Sequence, residues 1–310
     1  MQVTALGRTG APVTVAGLGC GGFSRIGIDK GPGHAAGIVR SAYESGVNFF
    51  DTAYVYGTQE AVGRGLAGVS RDKYVLSSKF PYRSMDGRRL APEDISRCLD
   101  ESLRLLGTDY IDIWHIHALD AGDYEWAKSA LLPVMHSARE SGKIRFLGVT
   151  EQFAVDTSHE MLKLALPEAL FDVVMAGYNI LNPSAAKTVL PVAAANGTAV
   201  LCMFAVRSAL HDPKQLRVDI GRILDAGQGG AGLSASSLDF IVGSGAARSL
   251  PEAAYRFCRH APGITVTLTG TGNAEHLREN LAAINAPPLP EDVMRRLGEL
   301  FGNVDCVSGQ

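Results

Sequence analysis

The sequence predicts a closed barrel of eight parallel strands, each followed by a helix, with a β-hairpin in front of the first strand. Eight short runs rich in β-branched or aromatic residues alternate with longer amphipathic stretches, which is typical of repeated β-then-α units. The runs are almost continuously apolar, as expected when both faces of a parallel sheet are covered. A chain of 310 residues suits one such barrel. We therefore expect residues 1–310 to form a single (β/α)8 TIM barrel domain.

Two strand-like runs at residues 2–6 and 12–16 flank the turn segment GRTG. Together they predict a β-hairpin within residues 1–15 that caps the barrel floor. Eight candidate barrel strands follow in order along the chain. They are AGLGCGG from Ala16, VNFFDTA from Val47, YVLSSKF from Tyr74, IDIWHIH from Ile111, IRFLGVT from Ile144, FDVVMAGY from Phe171, AVLCMF from Ala199 and ITVTLTG from Ile264.

Helical patterns lie between these runs. The clearest spans residues 91–107, with proline in its first turn and glycine at its end, and similar amphipathic patterns occupy 35–46, 132–143 and 249–262. A doubly wound open sheet is the alternative fold. Its glycine-rich G-x-G-x-x-G turn is missing, because GLGCGG leads into no clear helix. The barrel is therefore the preferred interpretation.

Residues 225–249 include the glycine- and serine-rich run DAGQGGAGLSASS. This composition predicts a flexible surface loop or lid. A phosphate-binding loop is the alternative, but it would need a following Lys-Ser or Lys-Thr pair, which the run lacks.

Composition and charge narrow the class of partner. Hydrophobic residues make up 46% and charged residues 20%, and the net charge of −3 comes with scattered rather than clustered basic residues. We expect no nucleic-acid or membrane partner, and a small molecule as ligand. The five widely spaced cysteines and the lack of a signal-peptide pattern suggest a reducing, cytoplasmic setting. The pattern does not indicate an oligomeric state.

Four polar residues lie at or just after predicted strand ends, where barrel enzymes carry their active sites. They are Asp51, Tyr56, Lys79 and His117. Each alone has an ordinary explanation: a helix cap, a rim aromatic, a solvated strand end and a packed core histidine, respectively.

Together the four form a chemically complete set for moving a proton to or from a carbonyl oxygen. A phenol with its usual pKa of about 10 is a weak acid at neutral pH. An adjacent ammonium is expected to lower the pKa of Tyr56, and a carboxylate paired with Lys79 would fix that ammonium in place. His117 would orient the carbonyl oxygen.

Three motifs resemble those of the aldo-keto reductase family. VNFFDTAYVYG at 47–57 follows that family's G-x-x-x-x-D-T-A-x-x-Y-G pattern, SSKF ends the third strand, and DYIDIWHIH at 109–117 follows D-x-x-D-L-x-x-I-H. The leading LGRTGAPVTVAGLGCGGF and the trailing GTGNAEHLRENL extend the resemblance over nearly the whole chain. It implies Tyr56 as general acid/base, Asp51 with Lys79 as its pKa-lowering pair, and His117 as substrate orienter. His115, on the same strand face but one layer deeper, is expected to be a packed barrel residue.

The resemblance also implies a nicotinamide nucleotide, either NADP or NAD. It places Tyr178 against the nicotinamide ring and Thr150 with Glu151 at the carboxamide, where the family usually has Ser-Asn. The remaining expected nucleotide contacts follow the first, seventh and eighth strands, and they are Gly22, Phe204, Arg207, Gly270, Gly272, His276, Glu279 and Asn280. No arginine or lysine occupies the glycine-rich turn of residues 270–272 or position 276. The preference between NADP and NAD is therefore left open.

These observations predict an oxidoreductase that interconverts an aldehyde, ketone or sugar-like carbonyl and its alcohol by hydride transfer. A nicotinamide-nucleotide-sensing regulatory subunit with little turnover is the alternative. A metal-dependent hydrolase would need convergent His and carboxylate ligands from several strand ends, and the sequence does not offer such a set. We therefore disfavour that class and expect no metal site.

Overall fold

The computed structural model describes residues 1–310 and contains ten strands. Eight of them form a closed parallel barrel in the order β10-β3-β4-β5-β6-β7-β8-β9. All eight predicted barrel strands are present, which confirms the (β/α)8 fold. The strands are β1 (Val3–Ala5), β2 (Pro12–Thr14), β3 (Ala16–Gly19), β4 (Phe49–Asp51), β5 (Val75–Pro81), β6 (Ile111–Leu119), β7 (Ile144–Glu151), β8 (Val173–Gly177), β9 (Ala199–Met203) and β10 (Val266–Thr269).

Helices surround the barrel, and the predicted helix at 91–107 is observed with a left-handed Gly107 at its end. No helix combines the length and the apolar character needed to cross a membrane. The α-helices are α1 (Pro32–Glu44), α2 (Gln59–Gly65), α3 (Pro92–Leu106), α4 (Tyr124–Ala130), α5 (Leu132–Glu140), α6 (Glu160–Ala165), α7 (Ala185–Thr188), α8 (Leu190–Asn196), α9 (Pro213–Asp225), α10 (Asp239–Gly243), α11 (Leu250–Arg259), α12 (Ala274–Asn285) and α13 (Glu291–Phe301).

The N-terminal hairpin pairs β1 with β2 in antiparallel register and packs against the barrel. Leu6 and Val13 are fully buried in a cluster with side chains from six barrel strands, among them Phe49. The backbone N–H of Arg8 donates to the carbonyl of Gly197, just before β9. The hairpin therefore lies at the N-terminal ends of the strands, opposite their carboxyl ends.

Residues 225–249 differ from an open loop, because they contain α10 and several buried side chains. Leu238 and Ile241 are almost fully buried. Gly230 packs so closely on α13 that an added Cβ would lie 1.9 Å from the carbonyl oxygen of Glu299. Glycine and serine are frequent in this segment, but several apolar residues among them are buried and hold it against the rest of the protein. Its mobility and the single-domain organisation of residues 1–310 stay predictions.

Substituting Leu6→Ala should destabilise the protein by about 2–5 kcal/mol, because it empties a buried site beneath the barrel. Val3→Ala is the matched control, since Val3 lies in the same hairpin but is 61% exposed. Urea unfolding followed by circular dichroism measures both changes. Equal stabilities for the two variants would show that the hairpin is not part of the barrel core.

Candidate active site

The four predicted catalytic residues meet at the carboxyl ends of neighbouring strands. Asp51 ends β4, Lys79 lies near the end of β5, and His117 lies near the end of β6. Tyr56 lies in a short 3-10 helix at residues 54–56, directly after β4. All four line one cavity of about 980 Å³. The structure therefore brings together residues that the sequence separates by up to 66 positions.

Asp51 and Lys79 form a buried ion pair at the base of this cavity. The Lys79 ammonium lies 2.8 Å from Asp51 Oδ1 and 2.7 Å from Oδ2, and it also donates to the carbonyl oxygen of Thr52 at 2.7 Å. The two side chains are only 1% and 5% exposed. Burial alone would lower the pKa of Lys79, but the charge and hydrogen bond of the Asp51 carboxylate, together with the nearby Tyr56, outweigh it and raise that pKa. The lysine therefore stays an ammonium at neutral pH.

Tyr56 lies above this pair, with the Lys79 ammonium 5.0 Å from the centre of its ring. The net effect on its acidity is opposite to the predicted one: burial raises the pKa of Tyr56, and Lys79 offsets only part of that rise. The ammonium is evident from the sequence, whereas the loss of solvent around the phenol depends on the whole fold. The phenol therefore keeps its proton at neutral pH.

His117 lies next to Tyr56 in the cavity. Its Nε2 lies 3.3 Å from the Tyr56 hydroxyl, and the two rings meet edge to face. Burial, reinforced by the Lys79 ammonium, lowers the pKa of His117 to about 3. The imidazole is therefore neutral, and with Tyr56 it forms a paired polar edge at which a carbonyl oxygen can be held.

Tyr178 does not reach the cavity, although it was expected to contact the nicotinamide ring. It is 4% exposed and stacks on Phe257 of α11, with the ring centres 5.2 Å apart and the planes at 11°. Side chains alternate along a strand, so Met175, which lines the cavity, and Tyr178, three positions later, point to opposite faces of the barrel wall. Phe204, after β9, is the predicted aromatic that lines the cavity.

Glu151 lines the cavity, but its carboxylate is bound by other groups of the protein. Both of its carboxylate oxygens lie 2.9–3.0 Å from Nδ1 of His159, and the backbone N–H of Gly177 donates to Oε1 at 2.7 Å. Both side chains of this pair are fully buried. The Glu151 carboxylate is therefore engaged with the protein, and both predicted carboxamide contacts, Thr150 and Glu151, line the cavity. The Thr150 hydroxyl accepts from the backbone N–H of Ala118 at 2.7 Å.

The turn after β10 and the start of α12 carry three of the expected nucleotide contacts, Gly270, Gly272 and His276. Asn273 caps α12 here by accepting from the N–H groups of Glu275 and His276. Gly272 does not line the cavity, and a Cβ there would lie 2.7 Å from the backbone of Gly27. The other expected contacts of this region do line the cavity, namely Gly270, His276, Glu279 and Asn280, as does Gly22 after β3.

Arg207 is a partly buried cation on the cavity wall without an acidic partner. Its guanidinium lies 3.6 Å from the centre of the Phe204 ring, and its Nε is buried without a hydrogen-bond partner. Burial lowers the pKa of Arg207, but an arginine stays charged at physiological pH. An unsatisfied, partly buried cation beside a large cavity fits an anionic ligand group such as a pyrophosphate. The cavity therefore has both the volume and the charge that a dinucleotide requires.

Two features of the cavity were not found from the sequence. Phe153 lines it and meets Phe204 edge to face, with ring centres 5.4 Å apart. Glu252 and Arg248 line the side next to α11, where they form an ion pair at 2.7 Å. Neither feature stands out in the sequence as part of a binding site. Single aromatic residues are common in loops, and charged pairs spaced i,i+4 are common at the start of helices.

Residues 17–301 match the sequence model of the aldo/keto reductase family. The chain therefore belongs to the aldo-keto reductase family, which confirms the resemblance seen in its motifs. It is 30% identical over 208 residues to L-galactose dehydrogenase of Arabidopsis thaliana, a match that covers 65% of this chain and spans only 64% of the relative's length. It is 26% identical over 220 residues to D-threo-aldose 1-dehydrogenase of a Pseudomonas species, covering 61% and 65% of the two chains.

A solved structure shares the fold over almost the whole chain. An aldo-keto reductase from Bacillus halodurans, in its holo form, is similar with a TM-score of 0.75 at 23% identity, covering 96% of this chain and 95% of that one.

Replacing Lys79 with methionine should destabilise the protein by about 3–5 kcal/mol, because it leaves the Asp51 carboxylate buried without its cation. The double variant Lys79→Met/Asp51→Leu should recover much of this loss, since neither charge is then buried. Lys128→Met, which removes an exposed ion pair with Glu168, serves as the control and should change little. The free energies of unfolding from urea titrations decide the matter, and a single variant as stable as the control would contradict the buried-pair assignment.

Proposed function

We propose that this protein is an NAD(P)-dependent oxidoreductase that interconverts a carbonyl compound and its alcohol, with Tyr56 as the proton donor and acceptor. The observation that carries the proposal is the set formed by Asp51, Tyr56, Lys79 and His117 in one large cavity. A bound nicotinamide nucleotide would supply the hydride, or accept it in the reverse direction.

The protein side of the chemistry is proton transfer at the Tyr56 hydroxyl. A substrate carbonyl oxygen would lie between Tyr56 and His117, where the phenol donates its proton and the neutral imidazole donates a hydrogen bond. The Lys79 ammonium stabilises the phenolate that remains. In the oxidative direction the phenolate takes the proton of the alcohol, and because burial raises the pKa of Tyr56, oxidation should speed up as the pH rises.

The nucleotide would be held by the residues on the other side of the cavity. Phe204 offers an aromatic surface for the nicotinamide, and Arg207 offers the positive charge for the pyrophosphate. Glu279 and Asn280 line the side next to α12, where the adenosine would lie. These assignments are supported by the fact that all four side chains line the same cavity.

Sugar-like carbonyl compounds are the substrate class that the comparisons favour. Two relatives are named for the oxidation of aldoses, L-galactose in one case and D-threo-aldoses in the other. We extend that class to this chain as a proposal, and a panel of aldoses with simple aldehydes tests it.

Tyr56→Phe should lower kcat by about 10²–10⁴-fold, because it removes the proton donor and leaves the ring in place. The Kd for the nucleotide, measured by fluorescence titration, should stay within about twofold of that of the wild type, since the hydroxyl is not a predicted nucleotide contact. Full turnover in the Tyr56→Phe variant would rule out the mechanism. Tight nucleotide binding by a wild-type protein that turns over nothing in the panel would instead favour a nucleotide-sensing role.

Phe204→Ala should weaken nucleotide binding by about 10-fold or more, because it removes an aromatic surface from the cavity. Tyr178→Ala is the control, since it also removes a ring, but one that stacks on α11 outside the cavity. The two Kd values from the same titration, measured on folded protein, distinguish the two aromatics. A larger effect for Tyr178→Ala would restore the original assignment of that residue.

The charges on the adenosine side favour NAD over NADP. Glu252 and Glu279 both line this side, and the Arg248 guanidinium is already paired with Glu252. Gly272 has no room for a side chain, so the turn cannot present a basic residue at that position. Carboxylates accept hydrogen bonds from ribose hydroxyls, whereas a 2′-phosphate requires a nearby cation.

The wild-type protein should therefore bind NADH at least about tenfold more tightly than NADPH, a difference of about 1.4 kcal/mol. His276→Arg, which adds a cation at an exposed position on the cavity wall, should tighten NADPH binding and leave NADH binding unchanged. Ala282→Arg adds the same charge to α12 outside the cavity, and it should alter neither. Parallel fluorescence titrations give all the Kd values, and a wild type that prefers NADPH would overturn this assignment.

A further inference from the structure

His115 is a buried titratable side chain that the proposed chemistry does not use. It lies on β6 opposite Lys79 in the strand register, one layer below His117, and it is 0% exposed. Its ring fills the space above Gly148 of β7, where an added Cβ would lie 2.2 Å from Nδ1. The barrel interior therefore contains a closely fitting slot for this imidazole.

The slot aims one nitrogen of His115 at the catalytic ion pair. Nε2 lies 3.1 Å from the hydroxyl of Ser77, and that hydroxyl lies 2.7 Å from Oδ1 of Asp51. Ser77 is fully buried, as its neighbours are. A continuous chain of hydrogen bonds therefore runs from the imidazole through the serine to the carboxylate.

The direction of these hydrogen bonds is fixed by chemistry. The Asp51 carboxylate is paired with Lys79 and can only accept, so the Ser77 hydroxyl must donate to it. The Ser77 oxygen then accepts from His115, which requires a hydrogen on Nε2. Nδ1 is then left without a hydrogen, and it makes no hydrogen bond of normal geometry. Burial first, and then the Lys79 ammonium, lower the pKa of His115, so the ring stays neutral with this single tautomer.

Asp51 accepts hydrogen bonds from two side chains, Ser77 and Lys79, and only that of Ser77 is short and inflexible. Asp51 Oδ1 accepts from Ser77 and Lys79, and Oδ2 accepts from Lys79 alone. Without Ser77, the orientation of the carboxylate would depend on a long lysine side chain. A carboxylate that rotates would also move the ammonium beside Tyr56.

We propose that Ser77 and His115 are positioning residues that act as one unit, holding Asp51 and through it the Lys79 ammonium beside Tyr56. The proposal rests on the proposed function, because it assigns these residues to the same proton transfer.

The test compares Ser77→Ala with Ser78→Ala in the full-length protein. Ser78 is the adjacent residue of β5 and is equally buried, but its hydroxyl faces the opposite side of the strand and accepts from Gln59 at 2.9 Å. Ser77→Ala should lower kcat on the best carbonyl of the panel by about 10-fold, while the Kd for NADH stays unchanged. Ser78→Ala should leave kcat at the wild-type value.

A titration of Tyr56 supplies a readout that a structural defect would not move. With [13Cζ]tyrosine, the Tyr56 signal is identified by its loss in Tyr56→Phe. Loss of the Ser77 donor leaves the negative charge of Asp51 less balanced, so the pKa of Tyr56 should rise in Ser77→Ala and stay unchanged in Ser78→Ala.

The unit is tested with His115→Leu and the double variant Ser77→Ala/His115→Leu. Residues in one hydrogen-bond chain are not additive, so the double variant should lose no more kcat than Ser77→Ala alone. His115→Gln, which keeps an N–H donor, should lose less kcat than His115→Leu.

A double variant whose loss of kcat equals the combined losses of the two single variants would overturn the proposal. So would a Ser77→Ala protein with normal kcat and a normal Tyr56 titration. If Tyr56→Phe also keeps full turnover, the proposed function fails; if it is inactive, only the positioning role fails.

Discussion

The ion pair between Asp51 and Lys79 is the interaction on which the arrangement of the site depends. Removing two charges from water costs several kcal/mol per ion, and only close geometry and further hydrogen bonds recover that cost. Here the ammonium has three oxygen contacts between 2.7 and 2.8 Å, from the Asp51 carboxylate and the carbonyl of Thr52. Neighbouring parallel strands supply these partners. The closed barrel therefore provides the contacts that offset the cost of burying the two charges.

The buried ammonium in turn acts, together with burial, on the pKa values of its neighbours. Burial is the main cause of the low pKa of His117, and the ammonium reinforces it, which keeps that imidazole neutral. Burial also raises the pKa of Tyr56, and there the ammonium opposes it. The protonated phenol and the neutral imidazole consequently lie side by side, where both can contact a carbonyl oxygen.

Much of this site follows from the sequence, because strand periodicity and strand ends can be read from it. The eight strands and the meeting of Asp51, Lys79 and His117 depend only on that local pattern and on the parallel topology. The surroundings of Tyr178 and Glu151, which were expected to contact the nicotinamide group, could not be read from that local pattern. The side of the barrel wall that Tyr178 faces depends on where the strand ends, and the partner of Glu151 is a histidine in a later loop. The net acidity of Tyr56 depends on solvent exclusion by the whole fold.

The Lys79 ammonium makes the Tyr56 phenol a stronger acid than burial alone would allow. This effect is measured by the pKa of Tyr56, followed by NMR with [13Cζ]tyrosine, in the wild type and in Lys79→Met. We expect a higher pKa of Tyr56 in Lys79→Met, because the opposing charge is gone while the burial remains. An unchanged or lower pKa of Tyr56 in that variant would contradict it.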